Sequence, residues 1–283
     1  MRCFLLLLVI LAPASSGADP LRVFVSVLPQ ETFVEKVGRE HVSVEAMVQP
    51  GHSPSTYAPT PKQIAALASA DLYLRIGVPF EDAWMDRIRA ASPTMPVVDL
   101  RAGLDLRAVD THGDDHHGHG GGRDPHVWTS PPLVKEMASR IRDVLADMDA
   151  AHRSDYEANF QTFGRELDAL DRELREILAH SGTRRFMVFH PAWAYFADTY
   201  GLTQVPIEEA GKEPGPKALV SLVEQAQREN IEVVFVQPQF SRHAADRLAL
   251  AIGARVEVVD PLARDFGANL LRMARLIAGA SGS

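Results

Sequence analysis

Two stretches of the chain, residues 21–100 and the part after residue 184, alternate short apolar runs with helical periodicity. In the first stretch the pattern predicts strands at residues 22–28, 42–48, 71–76 and 96–100, with helices near 31–38, from 61 and near 82–91. In the second it predicts strands at residues 185–189, 202–207, 231–236 and 255–259, with helices near 192–200, 216–230, 242–252 and 268–278. Because a helix between two strands is typical of βαβ units, we expect an α/β fold of two lobes with parallel sheets.

A different pattern separates the two lobes. Apolar residues recur there at alternating steps of four and three, at Tyr156, Phe160, Phe163, Leu167, Leu170, Leu174 and Ile177. This spacing predicts one long amphipathic helix, opened by a capping box of Ser154 and Glu157 and running to about residue 180. At 1.5 Å per residue it would measure roughly 39 Å. We interpret it as a rigid helix that joins an N-terminal lobe (residues 19–150) to a C-terminal lobe (181–283), with the helix at 151–180.

The first 18 residues have the features of a secretory signal peptide. Met1 and Arg2 precede an apolar run that ends at Ala14, and small residues follow as far as Ala18. Such a charged start, short apolar core and small-residue exit are typical of signal peptides, so we expect cleavage after Ala18. The run is too short to span a bilayer comfortably, and we expect no membrane insertion and a periplasmic location.

The composition of the chain limits which partners it could bind and which side chains could hold a metal. The 283-residue chain has 29 lysines and arginines against 37 acids, a net charge of −8, which argues against nucleic acid as a partner. It has one cysteine, Cys3, in the predicted signal peptide, so a thiolate zinc site cannot form. Any metal must be held by nitrogen and oxygen ligands, and the 11 histidines become the main clue.

Several polar side chains follow the predicted strands directly. His52 follows the second strand through a Gln-Pro-Gly segment, and His190 and Asp260 each follow a strand and precede a proline. His126 stands in an Asp-Pro-His-Val-Trp segment just before a helix opened by Ser130 and a proline. Ligands of doubly wound α/β domains bind at the carboxyl ends of strands. Three imidazoles and one carboxylate from both lobes are a plausible tetrahedral set for Zn²⁺.

The segment 110–122 is rich in glycine, aspartate and histidine. Its four histidines are His112, His116, His117 and His119. Such a tract cannot pack a core and favours loose, exchangeable metal binding, so we expect an auxiliary weak site there. The other histidines, His41, His152, His180 and His243, are expected at the surface without converging partners.

The motifs resemble those of the periplasmic zinc- and manganese-specific solute-binding proteins of ABC importers, over essentially all of the chain after the signal peptide. The residues that carry the resemblance are Pro50-Gly51, Pro54, Thr56-Tyr57 to Pro61, the segment from Asp124 to Trp128, the segment from Phe189 to Phe196, Gly211 to Pro214, Phe235 to Ser241, and Asp260-Pro261-Leu262. The family implies a pair of α/β lobes joined by one long helix, with the metal buried between them.

By this resemblance, His126, His190 and Asp260 fall on ligand positions of the family. Manganese-type members usually carry a carboxylate where His190 stands, so the chain resembles the zinc-type branch. The family's first ligand usually occupies the position of Ser55, three residues after His52. Either His52 supplies that imidazole through a shifted loop, or three protein ligands and a water complete the site.

We therefore expect a non-enzymatic, monomeric zinc receptor that delivers Zn²⁺ to an ABC permease driven by its ATPase subunit. Two other functions fit the same residues. A zinc metallohydrolase would use an open coordination position to activate water. A periplasmic zinc buffer or adhesin would bind the metal without a transporter.

Overall fold

The structure of the chain is a computed structural model that describes residues 19–108, 122–179, 181–182, 184–208 and 211–279. The predicted signal peptide lies outside the described residues. So do the four histidines of the predicted auxiliary site, His112, His116, His117 and His119.

The N-terminal lobe is built on a parallel sheet of four strands. They are β1 (Leu21–Val25), β2 (Val42–Ala46), β3 (Leu72–Arg75) and β4 (Val97–Asp99), in the order β2-β1-β3-β4. The helices are α1 (Leu28–Gly38), α2 (Pro61–Leu67), α3 (Pro79–Ala91) and α4 (Pro131–Met148). The helix α2 begins at Pro61, as predicted, and the Thr60 hydroxyl caps it by accepting a hydrogen bond from the Gln63 amide.

The C-terminal lobe repeats this topology. Its strands are β5 (Arg185–Val188), β6 (Thr203–Pro206), β7 (Val233–Val236) and β8 (Arg255–Val258), parallel and in the order β6-β5-β7-β8. Its helices are α6 (Ala194–Tyr200), α7 (Pro216–Arg228), α8 (His243–Ile252) and α9 (Phe266–Ile277). The predicted fold class, two α/β lobes with parallel sheets, is confirmed.

One helix of 27 residues, α5 (Arg153–Ala179), joins the lobes. It packs against α1 and α4 of the first lobe and against α9 of the second. Its predicted capping box is wrong. A 3-10 turn at Ala150–His152 leads straight into the helix and Arg153 is already helical, with φ −50° and ψ −42°. Ser154 therefore lies inside α5, whereas an N-cap residue needs a non-helical backbone.

The prediction that His41 and His152 lack converging partners is also wrong. Their rings stack with centroids 3.9 Å apart beside the turn between α4 and α5. His41 Nε2 lies 3.1 Å from a carboxylate oxygen of Asp155. Asp149 accepts hydrogen bonds from His152 Nδ1 at 2.6 Å and from the Tyr156 hydroxyl at 2.7 Å. The partners come from separate elements, so sequence spacing could not show them.

The apolar core extends through both lobes. Side chains alternate across a strand, and this alternation divides β5 and β7 between two clusters. Phe186 and Phe235 belong to a large cluster that also contains much of the N-terminal lobe, α5 and α9. Met187 and Val234 belong to a smaller cluster beneath α7 and α8. The C-terminal sheet thus packs one face against the rest of the molecule. Among the described helices, none has the length and hydropathy needed to cross a bilayer.

A buried carboxylate ties three elements of the first lobe together. Glu81, in the first turn of α3, is 0% exposed. It accepts hydrogen bonds from the Ser26 hydroxyl at 2.5 Å, from the amides of Ile76 and Gly77, both at 2.8 Å, and from Arg75 Nε at 2.9 Å. These donors follow β1, end β3 or follow β3, so a single charge fixes the loops at the carboxyl edge of the sheet.

Candidate metal centre

His126 lies directly before the 3-10 turn Val127–Thr129, which leads into α4. Its Nδ1 lies 2.6 Å from Oδ1 of Asp124, and its backbone amide donates to the same oxygen at 2.9 Å. Burial raises the pKa of Asp124, but the charge and hydrogen bonds of His126 outweigh this and hold that pKa below its ordinary value. Asp124 therefore stays an anion that orients the His126 ring.

His190 follows β5 and belongs to the opposite lobe. Its Nδ1 lies 2.8 Å from Oε1 of Glu208, a residue that follows β6 and whose side chain is 6% exposed. Gln237, at the end of β7, fixes the backbone of His190 from both sides. Its Oε1 accepts from the His190 amide at 3.1 Å, and its Nε2 donates to the His190 carbonyl at 2.6 Å. Two neighbouring strands thus hold the position of this imidazole.

The structure brings His126 and His190 together. Their ring centroids are 5.3 Å apart and their planes make an angle of 72°. Because a carboxylate accepts from each Nδ1, Nε2 is the nitrogen of each ring that can bind a metal through its lone pair. Trp128 lies 5.2 Å from the His126 ring, and Phe240 stacks on His190 at 5.2 Å. Apolar rings therefore cover part of the imidazole pair, which limits its access to water.

Asp260 follows β8. Its Oδ1 accepts two hydrogen bonds, from Gln239 Nε2 at 2.9 Å and from the Leu262 amide at 3.0 Å. The carbonyl of the next residue, Pro261, accepts a hydrogen bond from Trp128 Nε1 at 2.7 Å. This bond crosses from the second lobe to the first and reaches the residue whose ring contacts His126. Its neighbours thus fix the Asp260 carboxylate, and the residue after it is bonded to the tryptophan that contacts the His126 ring.

His52 is exposed and its ring does not join the pair. Its Nδ1 lies 3.3 Å from the Pro50 carbonyl, and its ring meets Tyr57 edge-on at 5.8 Å. It lines an open cavity of about 470 Å³ that Glu45 and Lys62 also line. Ser55, at the position where the family carries a ligand, is exposed as well. In this conformation neither residue of the loop meets the two imidazoles.

As the side chains stand, no three His, Cys, Asp or Glu residues of the described ranges are arranged to hold a metal ion. The structure nevertheless reveals three residues that sequence reasoning did not assign a role: Asp124, Glu208 and Gln239. Asp124 could have been found by its position two residues before His126. Glu208 and Gln239 each follow a strand at the edge where ligands are expected, and that placement is the available signal.

Comparison with known proteins identifies the family. A sequence profile described as ZnuA, zinc-uptake complex component A, periplasmic, matches residues 23–277. The high-affinity zinc uptake system protein ZnuA of Bacillus subtilis (strain 168) is 30% identical over 258 residues, which cover 88% of this chain and 81% of that protein. The zinc-binding lipoprotein AdcA of Streptococcus pneumoniae serotype 4 is 27% identical over 251 residues, covering 86% of this chain. The matched region spans 50% of the length of AdcA.

Solved structures agree with this assignment. A crystal structure of ZnuA shares 40% sequence identity with this chain and superposes on it with a TM-score of 0.87. The superposition covers 93% of this chain and 100% of the ZnuA chain. AdcAII of Streptococcus pneumoniae is 22% identical with a TM-score of 0.80, over 93% of this chain and 100% of that one, and shares the fold. The resemblance to zinc-type solute-binding proteins is confirmed. With a profile that matches most of its length, the chain belongs to the ZnuA family of zinc-uptake components.

Proposed function

We propose that this protein is a periplasmic receptor that captures Zn²⁺ between its lobes and delivers it to an ABC permease driven by an ATPase. The observation that carries the proposal is the imidazole pair. His126 and His190 come from opposite lobes, face each other at 5.3 Å, and are each fixed by a carboxylate on Nδ1. Carboxylate-bound imidazoles with a free Nε2 are the usual form of histidine ligands of zinc.

Asp260 supplies the third ligand through its carboxylate. The two neutral imidazoles and one carboxylate then give a site of one negative charge, which offsets half the charge of Zn²⁺. Nitrogen and oxygen donors of this kind suit zinc, which accepts both. The relatives support this cargo, since a crystallised deletion mutant of ZnuA, 40% identical to this chain, has zinc bound.

His52 is the proposed fourth ligand. Its ring is exposed and its contact with the Pro50 carbonyl is long, at 3.3 Å, so little holds it in the observed position. Gly51 before it has φ +81°, a backbone angle that lets the loop turn sharply. Zinc binding would draw the ring toward the imidazole pair. The competing arrangement is a three-ligand site completed by water.

The proposed compartment and partners follow from this role. Residues 1–18 act as a signal peptide that exports the chain and is removed. The receptor is a monomer and performs no reaction on its cargo. The histidines of segment 110–122 form a weaker, auxiliary site, since a glycine-rich tract loses conformational entropy when it becomes ordered around a metal.

The test is a competition titration of metal-free protein, residues 19–283, with Zn²⁺ against a chromophoric chelator. We expect one tight site that His126→Ala, His190→Ala and Asp260→Ala each weaken by at least about tenfold, while the exposed His243→Ala, a matched control, binds as the parent does. Unchanged affinity in the first three variants would overturn the proposal.

The fourth ligand is tested by His52→Ala against Ser55→Ala in a chain lacking residues 110–122. Deletion of the segment should lower the total number of zinc ions bound and leave the tight site intact. His52→Ala should then weaken the tight site by at least about tenfold and Ser55→Ala hardly at all. If both variants bind as the deleted parent does, water completes the site. That result would favour an open coordination position and call for a test of hydrolytic turnover.

A further inference from the structure

The hydrogen bonds that the described residues donate to the Asp260 carboxylate all reach the same oxygen. A carboxylate oxygen offers two lone-pair sites. At Oδ1 both are occupied, by Gln239 Nε2 at 2.9 Å and by the Leu262 amide at 3.0 Å. Among the described residues, no hydrogen bond reaches Oδ2. The two oxygens of this one group are therefore unequal before any metal arrives.

The inequality limits how Asp260 can bind a metal. To chelate with both oxygens, the carboxylate would have to give up at least one hydrogen bond at Oδ1. Binding through Oδ2 alone keeps both bonds. Zinc in protein sites is almost always four-coordinate, so one oxygen from Asp260 is what a tetrahedral site requires. Manganese, magnesium and calcium prefer six or more oxygen-rich ligands and gain from a second oxygen.

We infer that Gln239 is a specificity-determining residue. By donating to Oδ1, it restricts Asp260 to monodentate binding and favours four-coordinate Zn²⁺ over ions of higher coordination number. This inference rests on the proposed function, because it takes Asp260 to be a ligand. Gln239 does not touch the metal and acts as a positioning residue through the carboxylate.

The surroundings of Gln239 fit this role. It follows β7 by three residues, in the segment whose Gln237 holds the backbone of His190. Phe240, the next residue, stacks on the His190 ring. The Asn269 side chain donates to the Asp260 carbonyl at 2.8 Å and fixes the backbone of the aspartate independently. Removing the Gln239 amide should therefore free one lone-pair site of Oδ1, while the Leu262 amide and Asn269 keep Asp260 in place.

The experiment compares Gln239→Met with the parent and with Ser241→Ala, a matched control in the same loop. Competition titrations give the affinities for Zn²⁺ and Mn²⁺ separately, and the visible absorption of bound Co²⁺ reports coordination number, since four-coordinate Co²⁺ absorbs far more strongly than six-coordinate. Gln239→Ala removes the same donor with a smaller side chain and replaces the methionine variant if that one does not fold. Thermal melts of the metal-free proteins check folding.

We expect the ratio of Zn²⁺ to Mn²⁺ affinity to fall by about tenfold in the Gln239 variant, with weaker Co²⁺ absorption, and both to stay at parental values in Ser241→Ala. An unchanged ratio and an unchanged Co²⁺ spectrum would overturn the inference and leave the zinc site itself intact. The Asp260→Ala variant distinguishes a failure of this inference from a failure of the proposed function. If Asp260→Ala binds Zn²⁺ as the parent does, the proposed function fails and the inference fails with it.

Discussion

At the scale of single residues, the imidazoles of the site are prepared by their neighbours. Asp124 and Glu208 hold the Nδ1 atoms of His126 and His190 from opposite lobes. An accepting carboxylate fixes the tautomer, fixes the ring direction and raises the basicity of the free nitrogen. In the proposed site, we therefore expect the zinc affinity to depend on Asp124 and Glu208, which do not bind the metal themselves.

The first prediction concerns Glu208. Glu208→Ala should weaken Zn²⁺ binding by about tenfold or more, because the His190 ring loses the acceptor that orients it. Glu208→Gln keeps an oxygen acceptor and should lose less. Competition titration measures both, with the exposed Glu232→Ala as a control. Equal affinity in Glu208→Ala and the parent would show that the ring is oriented by packing against Phe240.

A second prediction follows from Asp149. Although burial raises its pKa, hydrogen bonds from Tyr156 and His152 outweigh this and leave the pKa below its ordinary value. A lowered pKa in the folded state means that the ionised carboxylate stabilises the protein above the unfolded pKa, about 3.9 for Asp, and that this stability is lost as pH falls through the folded value. Asp149→Asn should thus cost about 1 kcal/mol in free energy of unfolding at neutral pH, and this cost should shrink as the pH falls below about 3.9.

Urea unfolding at several pH values measures this difference. Asp147→Asn is the control. Asp147 too accepts a hydrogen bond, in its case from Arg153, but its side chain is 78% exposed. Exposed ion pairs of this kind contribute little to stability. A cost for Asp149→Asn that does not change with pH would contradict the assignment to the charge.

The sequence was sufficient to propose His190 and Asp260, because ligands gather at the carboxyl ends of parallel strands and these residues stand there. His126 was proposed from its Asp-Pro-His-Val-Trp segment just before a helix. The sequence could not show that the rings of His126 and His190 meet, since they lie 64 residues apart in different lobes. Nor could it assign Glu208 and Gln239, whose partners are brought close only by the order of strands in the second sheet. The ligand role of His52 stays a prediction.

At the scale of helices and strands, the periodicity of apolar residues predicted which elements form better than local signals predicted where they begin. The alternating steps of four and three gave α5, and buried Tyr156, Phe163, Leu167 and Leu174 lie on its packed face. The start of the helix was misassigned, because a 3-10 turn can supply helical backbone before a residue that would otherwise cap. At Thr60 the backbone is extended, with φ −71° and ψ 156°, and the side chain does cap α2.

A third prediction belongs to the elements that Glu81 joins. Glu81→Ala should lower the free energy of unfolding by about 3 kcal/mol or more, because the buried Ile76 amide and the part-buried Gly77 amide lose their acceptor. Arg75 also loses the buried one of its carboxylate partners and keeps Asp82 and Asp99. Glu35→Ala, at a half-exposed site on α1, is a control of the same chemistry. Chemical unfolding decides the matter, and a cost of less than about 1 kcal/mol would mean that water replaces the carboxylate.

At the scale of the whole molecule, the loop after β8 is fastened to the other lobe. Trp128 donates to the Pro261 carbonyl at 2.7 Å and the Thr32 hydroxyl to the Arg264 carbonyl at 2.8 Å. Arg264 also pairs with Glu31 at 3.1 Å. Asp260 therefore belongs to a segment that is anchored on the N-terminal lobe. His190 follows β5, at the carboxyl ends of the strands of the second sheet. The distance between Asp260 and His190 in the proposed site therefore depends on the bonds that hold the loop after β8 to the N-terminal lobe.

The fourth prediction tests that anchor. Trp128→Phe keeps an aromatic ring beside His126 and removes the donor to Pro261. It should lower the free energy of unfolding by about 1 kcal/mol and weaken Zn²⁺ binding, because the Asp260 loop is less well held. The matched control is Trp84→Phe, on the partly buried face of α3. Calorimetric titration and melting curves would contradict the account if Trp128→Phe retained parental zinc affinity.

The central claim is that one Zn²⁺ binds between the lobes at the imidazole pair. The most direct measurement is a crystal structure of the zinc-loaded protein with anomalous data collected on both sides of the zinc absorption edge. The account predicts one strong anomalous peak within coordination distance, about 2.0 to 2.2 Å, of Nε2 of His126, Nε2 of His190 and a single oxygen of Asp260. A zinc peak confined to the segment 110–122, with the two imidazoles still bonded only to Asp124 and Glu208, would contradict it.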